Sequence, residues 1–103
     1  MNPPMRIIWS SKAASDLTRL LTYTRDQRSI ATARRRLTFI ESATLRLAQW
    51  PDIGRKSSAK NIRVLYAPLP ECKIIYRIET HDQLTILRLE PDHTRPLHPR
   101  IDF

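Results

Sequence analysis

His93 and Arg95 place an imidazole two residues from a guanidinium, and imidazole gains and loses a proton near neutral pH. Four more cations, Arg63, Lys73, Arg77 and Arg88, stand in stretches where charged and aliphatic residues alternate. On a strand, Lys73 and Arg77 share a face, and Arg63 and Arg88 fall on neighbouring runs, so the alternation allows these groups to converge. Cleavage of RNA through its 2′-hydroxyl needs such types: a base for the hydroxyl proton, an acid for the leaving oxygen, and cations around a phosphorane-like transition state. The same cations serve equally for pairing with the phosphates or acidic side chains of a large target, with no bond broken. No second acid–base group accompanies His93, and Tyr76 shares a face with Cys72, Ile74 and Ile78, which marks it as core. A solvated antiparallel sheet displays the same alternation without any site. The residues leave catalysis, contact and plain solvation open.

Other chemistries find less support. Asp92, His93 and His98 match no common metal spacing, and the proline-rich stretch around them offers no scaffold, so no metal is expected. Gly54 is the single glycine, which excludes a phosphate-cradling loop, and no cofactor is expected. Cys72, the single cysteine, forms no intrachain disulfide and fits a reducing compartment. No stretch has the length of a signal segment or a membrane span, so the expectation is a cytoplasmic protein without a membrane partner.

With 103 residues the chain has enough material for one modest core, and its 41% hydrophobic content is ordinary for a globular domain. Its charge is not ordinary. Eighteen Lys and Arg face ten Asp and Glu, a net +8, and fourteen of those cations are Arg, whose planar fork fits phosphate and carboxylate. The excess favours a polyanionic surface or an acidic partner.

These groups must be held by a small set of elements. Arg6-Ile7-Ile8-Trp9 reads as a strand, and Ser10-Ser11 as the cap of a helix whose Ala13, Leu17, Leu20, Leu21 and Thr24 recur at helical spacing. Asp16, early in that helix, suits its dipole. Asp26 to Ser29 is a tight link, and Ile30, Ala33, Leu37, Ile40, Thr44 and Leu47 form the stripe of a second helix that Trp50-Pro51 ends. The short link makes the pair an antiparallel hairpin. Arg34, Arg35 and Arg36 point in different directions and form a solvated positive side. Gly54 then marks a turn, with positive φ expected. Three strands follow: Ile62 to Tyr66, Cys72 to Glu79 after Pro68-Leu69-Pro70, and Leu84 to Leu89 after His81-Asp82-Gln83. From about Pro91 to Phe103 no period remains, which predicts an irregular tail. The fold class is α+β: an N-terminal strand, an antiparallel helical hairpin, then a three-stranded antiparallel sheet in one domain spanning 1–103.

Particular strings within that order resemble the RelE/ParE superfamily of type II toxins. Trp9, Ala13, Asp16-Leu17 and Tyr23 are similar to its "W…A…DL…Y" opening, and Leu47 to Arg55 to its "L…P..GR" element. Ile62-Arg63, Ile74-Ile75-Tyr76-Arg77-Ile78 and Ile86-Leu87-Arg88-Leu89 with His93-Thr94-Arg95 are similar to its "LR", "YRI" and "IL.V.H.R" strings. The likeness runs from about Ile7 to Arg95, nearer the ParE branch than the RelE branch; Glu90-Pro91-Asp92 departs from it by separating Leu89 from His93.

That resemblance implies a β-α-α-β-β-β toxin neutralised by a cognate antitoxin, with which it would form a hetero-oligomer. ParE-like members poison DNA gyrase and need no catalytic group, whereas RelE-like members cleave messenger RNA on the ribosome. The third reading is a non-toxic basic module that binds protein or nucleic acid. The resemblance makes the last strand and tail the contact region, with Arg88, His93 and Arg95 foremost and the sheet cations Arg63, Lys73 and Arg77 beside them; on the ribonuclease reading His93 and Arg95 are catalytic. Leu20, Leu21, Ile40 and Leu47 are the antitoxin-binding candidates where the hairpin leaves them exposed, against the competing expectation, the better one for most of them, that they are core. Operator DNA is reached only indirectly, through the antitoxin.

Overall fold

The computed structural model describes residues 4–67 and 72–91, with Pro91 through its backbone only. In chain order the elements are β1 (Arg6–Trp9), α1 (Ser11–Gln27), α2 (Ile30–Gln49), a 3-10 turn (Pro51–Ile53), β2 (Arg55–Lys56), β3 (Ile62–Ala67), β4 (Cys72–Thr80) and β5 (Gln83–Pro91). His93, Arg95, the tail from residue 92 and the Pro68-Leu69-Pro70 turn lie outside the described residues.

Local chemistry starts the helices where the sequence places them. Ser10 Oγ accepts the Ala13 N–H at 3.0 Å, capping α1, and donates to the Leu87 carbonyl at 3.0 Å, so one hydroxyl also fixes the helix to the sheet. Ser29 Oγ accepts the Thr32 N–H at 3.0 Å and caps α2. Only Arg28 and Ser29 separate the helices, which leaves them no arrangement but antiparallel. Thr24 is fully buried where they touch: its hydroxyl donates to the Leu20 carbonyl at 2.8 Å and accepts from Arg36 Nη1 at 3.0 Å.

The sheet has the order β1-β5-β4-β3-β2. β5, β4, β3 and β2 pair antiparallel, and β1 runs parallel to β5 with Ile7 beside Leu84 and Trp9 beside Ile86. The α+β class and the element order agree with the sequence expectation. Two features go beyond it: the two-residue β2, and β1 as a parallel edge strand that turns three expected sheet strands into five. The core fills one face, where Ile74, Tyr76, Leu84, Ile86 and Leu89 meet Ala13, Ile40, Ala43 and Leu47. Pairing places Ile8, Thr85, Arg77 and Ile62 in a row on the other face, which neither helix covers.

Three local expectations are corrected. Gly54 has φ −73, an extended conformation open to any residue, and the positive φ belongs to Asn61 at 63° in the β2–β3 turn. Ile30 does not join the α2 stripe: as the first helical residue it lies 58% exposed. Asp16 does not serve the helix dipole; the first turn of α1 holds no acid, and Asp16 is buried toward β5. Asn61 makes a direct test of the turn, since its carbonyl accepts the Ile78 N–H at 3.0 Å. Asn61→Gly should leave stability unchanged or slightly raised, and Asn61→Val should cost about 1 to 2 kcal/mol because a β-branched side chain resists this conformation. Urea midpoints of the two variants measure it; equal midpoints would show that the turn relaxes. No helix among the described residues is long and apolar enough to cross a membrane.

Candidate functional site

The far end of β5 owes its geometry to a missing strand. β1 pairs with β5 only as far as Ile86, so the edge of β5 beyond that point has no neighbour on one side. α1 supplies replacements. The Ser10 N–H donates to the Ile86 carbonyl at 3.0 Å, Ser10 Oγ to Leu87, and Asp16 Oδ2 accepts the Leu89 N–H at 2.9 Å. Across on β4, Ile75 pairs with Arg88 but Tyr76 with Ile86, leaving Leu87 as an extra residue that bends the strand. There Arg88 forks onto the same carboxylate, with Nε 2.8 Å from Asp16 Oδ2 and Nη2 3.2 Å from Oδ1, while Arg19 Nη2 approaches Oδ1 at 2.6 Å. The Asp16 side chain is 4% exposed. The Arg88 guanidinium, opposed by burial and aided by the Leu89 N–H, holds its carboxyl below the ordinary aspartate range.

The remaining sheet cations do not join Arg88. Arg63 pairs across from Tyr76 and therefore faces the helices, where its Nη1 donates to the carbonyls of Gly54 at 2.8 Å and Asp52 at 3.1 Å. Lys73 and Arg77 lie on the uncovered face, as their spacing requires. Lys73 Nζ is 3.9 Å from Glu90, and Arg77 grips Glu79 through two hydrogen bonds of 3.1 and 3.0 Å. The expected convergence of Arg63, Lys73, Arg77 and Arg88 is thus corrected: one faces the helices, two face away from them, and one folds onto α1. Pairing register separates Arg63 from Lys73 and Arg77, and the bend at Leu87 with Asp16 captures Arg88.

The hairpin candidates divide as well. Ile40 and Leu47 are fully buried against the sheet, so they are core and not exposed members of a groove; the stripe that suggested them is the stripe that folding consumes. Leu20 and Leu21 are half-buried, Leu20 packed on the core. The exposed apolar side chains of the helices are instead Tyr23, Ile30, Phe39 and Leu45. Among the described residues no three His, Cys, Asp or Glu side chains gather as metal ligands would.

A second buried polar group supports this end of the sheet. Tyr76 is wholly buried, yet its hydroxyl donates to the Pro51 carbonyl at 2.6 Å and accepts the Gly54 N–H at 2.9 Å. A Cβ at Gly54 would stand 2.5 Å from that hydroxyl oxygen, so glycine is required by the approach of the ring and not by the backbone angle. Arg63 completes the clasp from β3.

A family described as the ParE toxin of the type II toxin-antitoxin system, parDE, matches residues 7–95. The chain belongs to the ParE toxin family. Among solved structures, a chain of the chromosomal ParDE TA system from P. aeruginosa is similar to it with a TM-score of 0.77 at 22% identity, over 86% of this chain and 97% of that one. A chain of the E. coli DinJ-YafQ toxin-antitoxin complex is similar at 19% identity with a TM-score of 0.47, over 85% of this chain and 92% of that one. No curated protein matches it. The strings that resemble the ParE pattern have physical roles in the fold. Asp16 of the "DL" string holds the end of β5, and the "P..GR" and "YRI" strings meet at the Tyr76 hydroxyl. Asp16 was missed as a site residue because its partners are more than seventy positions away; the available signal was an acid lying beside the apolar stripe of Ala13, Leu17 and Leu20.

Proposed function

We propose that this ParE toxin arrests growth by poisoning DNA gyrase and is held inactive by a cognate antitoxin. The family match over residues 7–95 carries the reading, and it takes in Arg88, His93 and Arg95 together. A contact surface asks only for placed donors, and Arg88 supplies one: Asp16 fixes its guanidinium while the side chain stays 40% exposed. The sheet cations part to different faces, and Arg63 is committed to the Gly54 and Asp52 carbonyls, so they do not focus charge on one phosphate as cleavage would ask. Arg95 and His93 extend the contact along the chain from Arg88. Leu20 and Leu21, half-buried on α1, are the apolar candidates for the antitoxin.

Purified toxin is expected to block supercoiling by gyrase, or to trap its cleaved DNA, while a translation extract stays active. Arg95→Ala should raise the inhibitory concentration tenfold or more, because a charge-assisted hydrogen bond contributes about 1.5 to 3 kcal/mol and about 1.4 kcal/mol is a factor of ten. Full gyrase activity at micromolar toxin would remove the reading. Cleavage of ribosome-bound messenger that disappears in His93→Ala and Arg95→Ala would replace it with ribonuclease chemistry.

A further inference from the structure

The turn end of the helical hairpin carries charge that folding does not use. Between Arg25 and Arg36 the chain has five arginines and one acid, Asp26. Asp26 is taken by Arg25 at 3.1 Å, and Arg36 is half-buried against Thr24. Arg28, Arg34 and Arg35 are exposed and form no ion pair among the described residues. Arg28 is the C-cap of α1, whose negative end offsets it, but Arg34 and Arg35 lie in the second turn of α2, whose first turn holds no acid, so these two like charges are adjacent and uncompensated there.

Further along α2 the pattern continues outward. Arg35, Phe39 and Arg46 are spaced by four and seven residues, which keeps them on one exposed stripe, and Trp50 follows at the C-cap, 62% exposed. Arg35 and Arg46 are about 16 Å apart along the axis at 1.5 Å per residue. Guanidinium groups repeated along one helix face suit the regularly spaced phosphates of a nucleic-acid backbone. A peptide partner would also engage Phe39 and Leu45, which are exposed beside these cations, so an acidic polypeptide enters the test as the rival occupant.

We propose that the turn end and outer stripe of the hairpin bind the phosphodiester backbone of a nucleic-acid duplex without reading its sequence, through Arg28, Arg34, Arg35 and Arg46. This surface lies on the helix layer, opposite the uncovered sheet face, and stands apart from the gyrase reading and from any operator recognition through an antitoxin. Neither partner enters its test.

Fluorescence anisotropy with a 20-base-pair DNA duplex, its RNA counterpart, and poly-glutamate as competitor decides it. Four phosphate contacts predict that log K falls against log salt with a slope of about −3 to −4. Arg34→Gln with Arg35→Gln should lower that slope by about 2 and weaken binding at least tenfold at low salt, whereas Lys56→Gln with Lys60→Gln, which removes the same charge from β2 and the turn after it, should change it less than twofold. Circular-dichroism melts confirm that both pairs fold. Binding to either duplex supports the proposal, and the tighter one names the source of the backbone. Equal losses in the two pairs, no binding at low salt, or poly-glutamate competing as well as duplex at equal charge would overturn it.

Discussion

Gly54→Ala is expected to cost about 2 to 3 kcal/mol, although φ −73 would accept alanine without strain. The added methyl would meet Tyr76 Oη at 2.5 Å and Cε1 at 2.7 Å, and neither can retreat. The ring is wholly buried, and its hydroxyl is held by the Pro51 carbonyl and the Gly54 N–H. Tyr76→Phe removes the clasp from the other side; it leaves the buried Gly54 N–H without its acceptor and should cost about 1 to 3 kcal/mol. Because both changes break one contact, their effects should not add. For a domain of this size each kcal/mol moves Tm by roughly 4 to 8 °C, so Gly54→Ala should melt roughly 10 °C or more below the parent. A melt within a degree or two of the parent, or fully additive losses in the double variant, would show that the turn moves away from the ring at little cost.

The reason that glycine stands at position 54 was not legible locally, and the same holds for most of what the sequence left open. Capping at Ser10 and Ser29, the α2 stripe through Ile40 and Leu47, and the alternation of β4 are local in period, and they appear where the sequence places them. The parallel pairing of β1 with β5 joins Ile7 to Leu84, and nothing within four residues of Ile7 encodes it. β2 is two residues long, too short for any period to show. For the site, the residue types were legible and their convergence was not. Alternation puts Lys73 and Arg77 on one face whatever the register. The face of Arg63 depends on its pairing with Tyr76, and the direction of Arg88 depends on a bend at Leu87 and on an acid in α1. Ile40 and Leu47 follow the core alternative instead of the groove, since a stripe regular enough to be noticed is the one folding buries.

Asp16→Ala is expected to destabilise the fold by about 2 to 3 kcal/mol, and its pH dependence separates the carboxylate's charge from its packing. Two losses combine. The Leu89 N–H is left buried without an acceptor, and Arg88 and Arg19 lose the anion between them, an effect discounted because both guanidinium groups reach solvent. Asp16→Asn keeps an acceptor for Leu89 but presents an amide to two cations, so it should recover part of the loss at most. The sign with pH follows from the direction of the shift: the folded-state carboxyl titrates below the ordinary 3.8. Its contribution is therefore complete above the unfolded value and is lost as pH falls through the lower folded one. The stability gap between the parent and Asp16→Asn should be constant from pH 5 to 7 and shrink below about pH 4. Glu79 and Asp82, also depressed, are exposed and common to both proteins, so they cancel in that comparison. A gap that is unchanged at pH 3 would mean that Asp16 acts through shape alone. A gap that closes would identify the Asp16 charge as what holds Arg88, and with it the last turn of sheet before His93, in place.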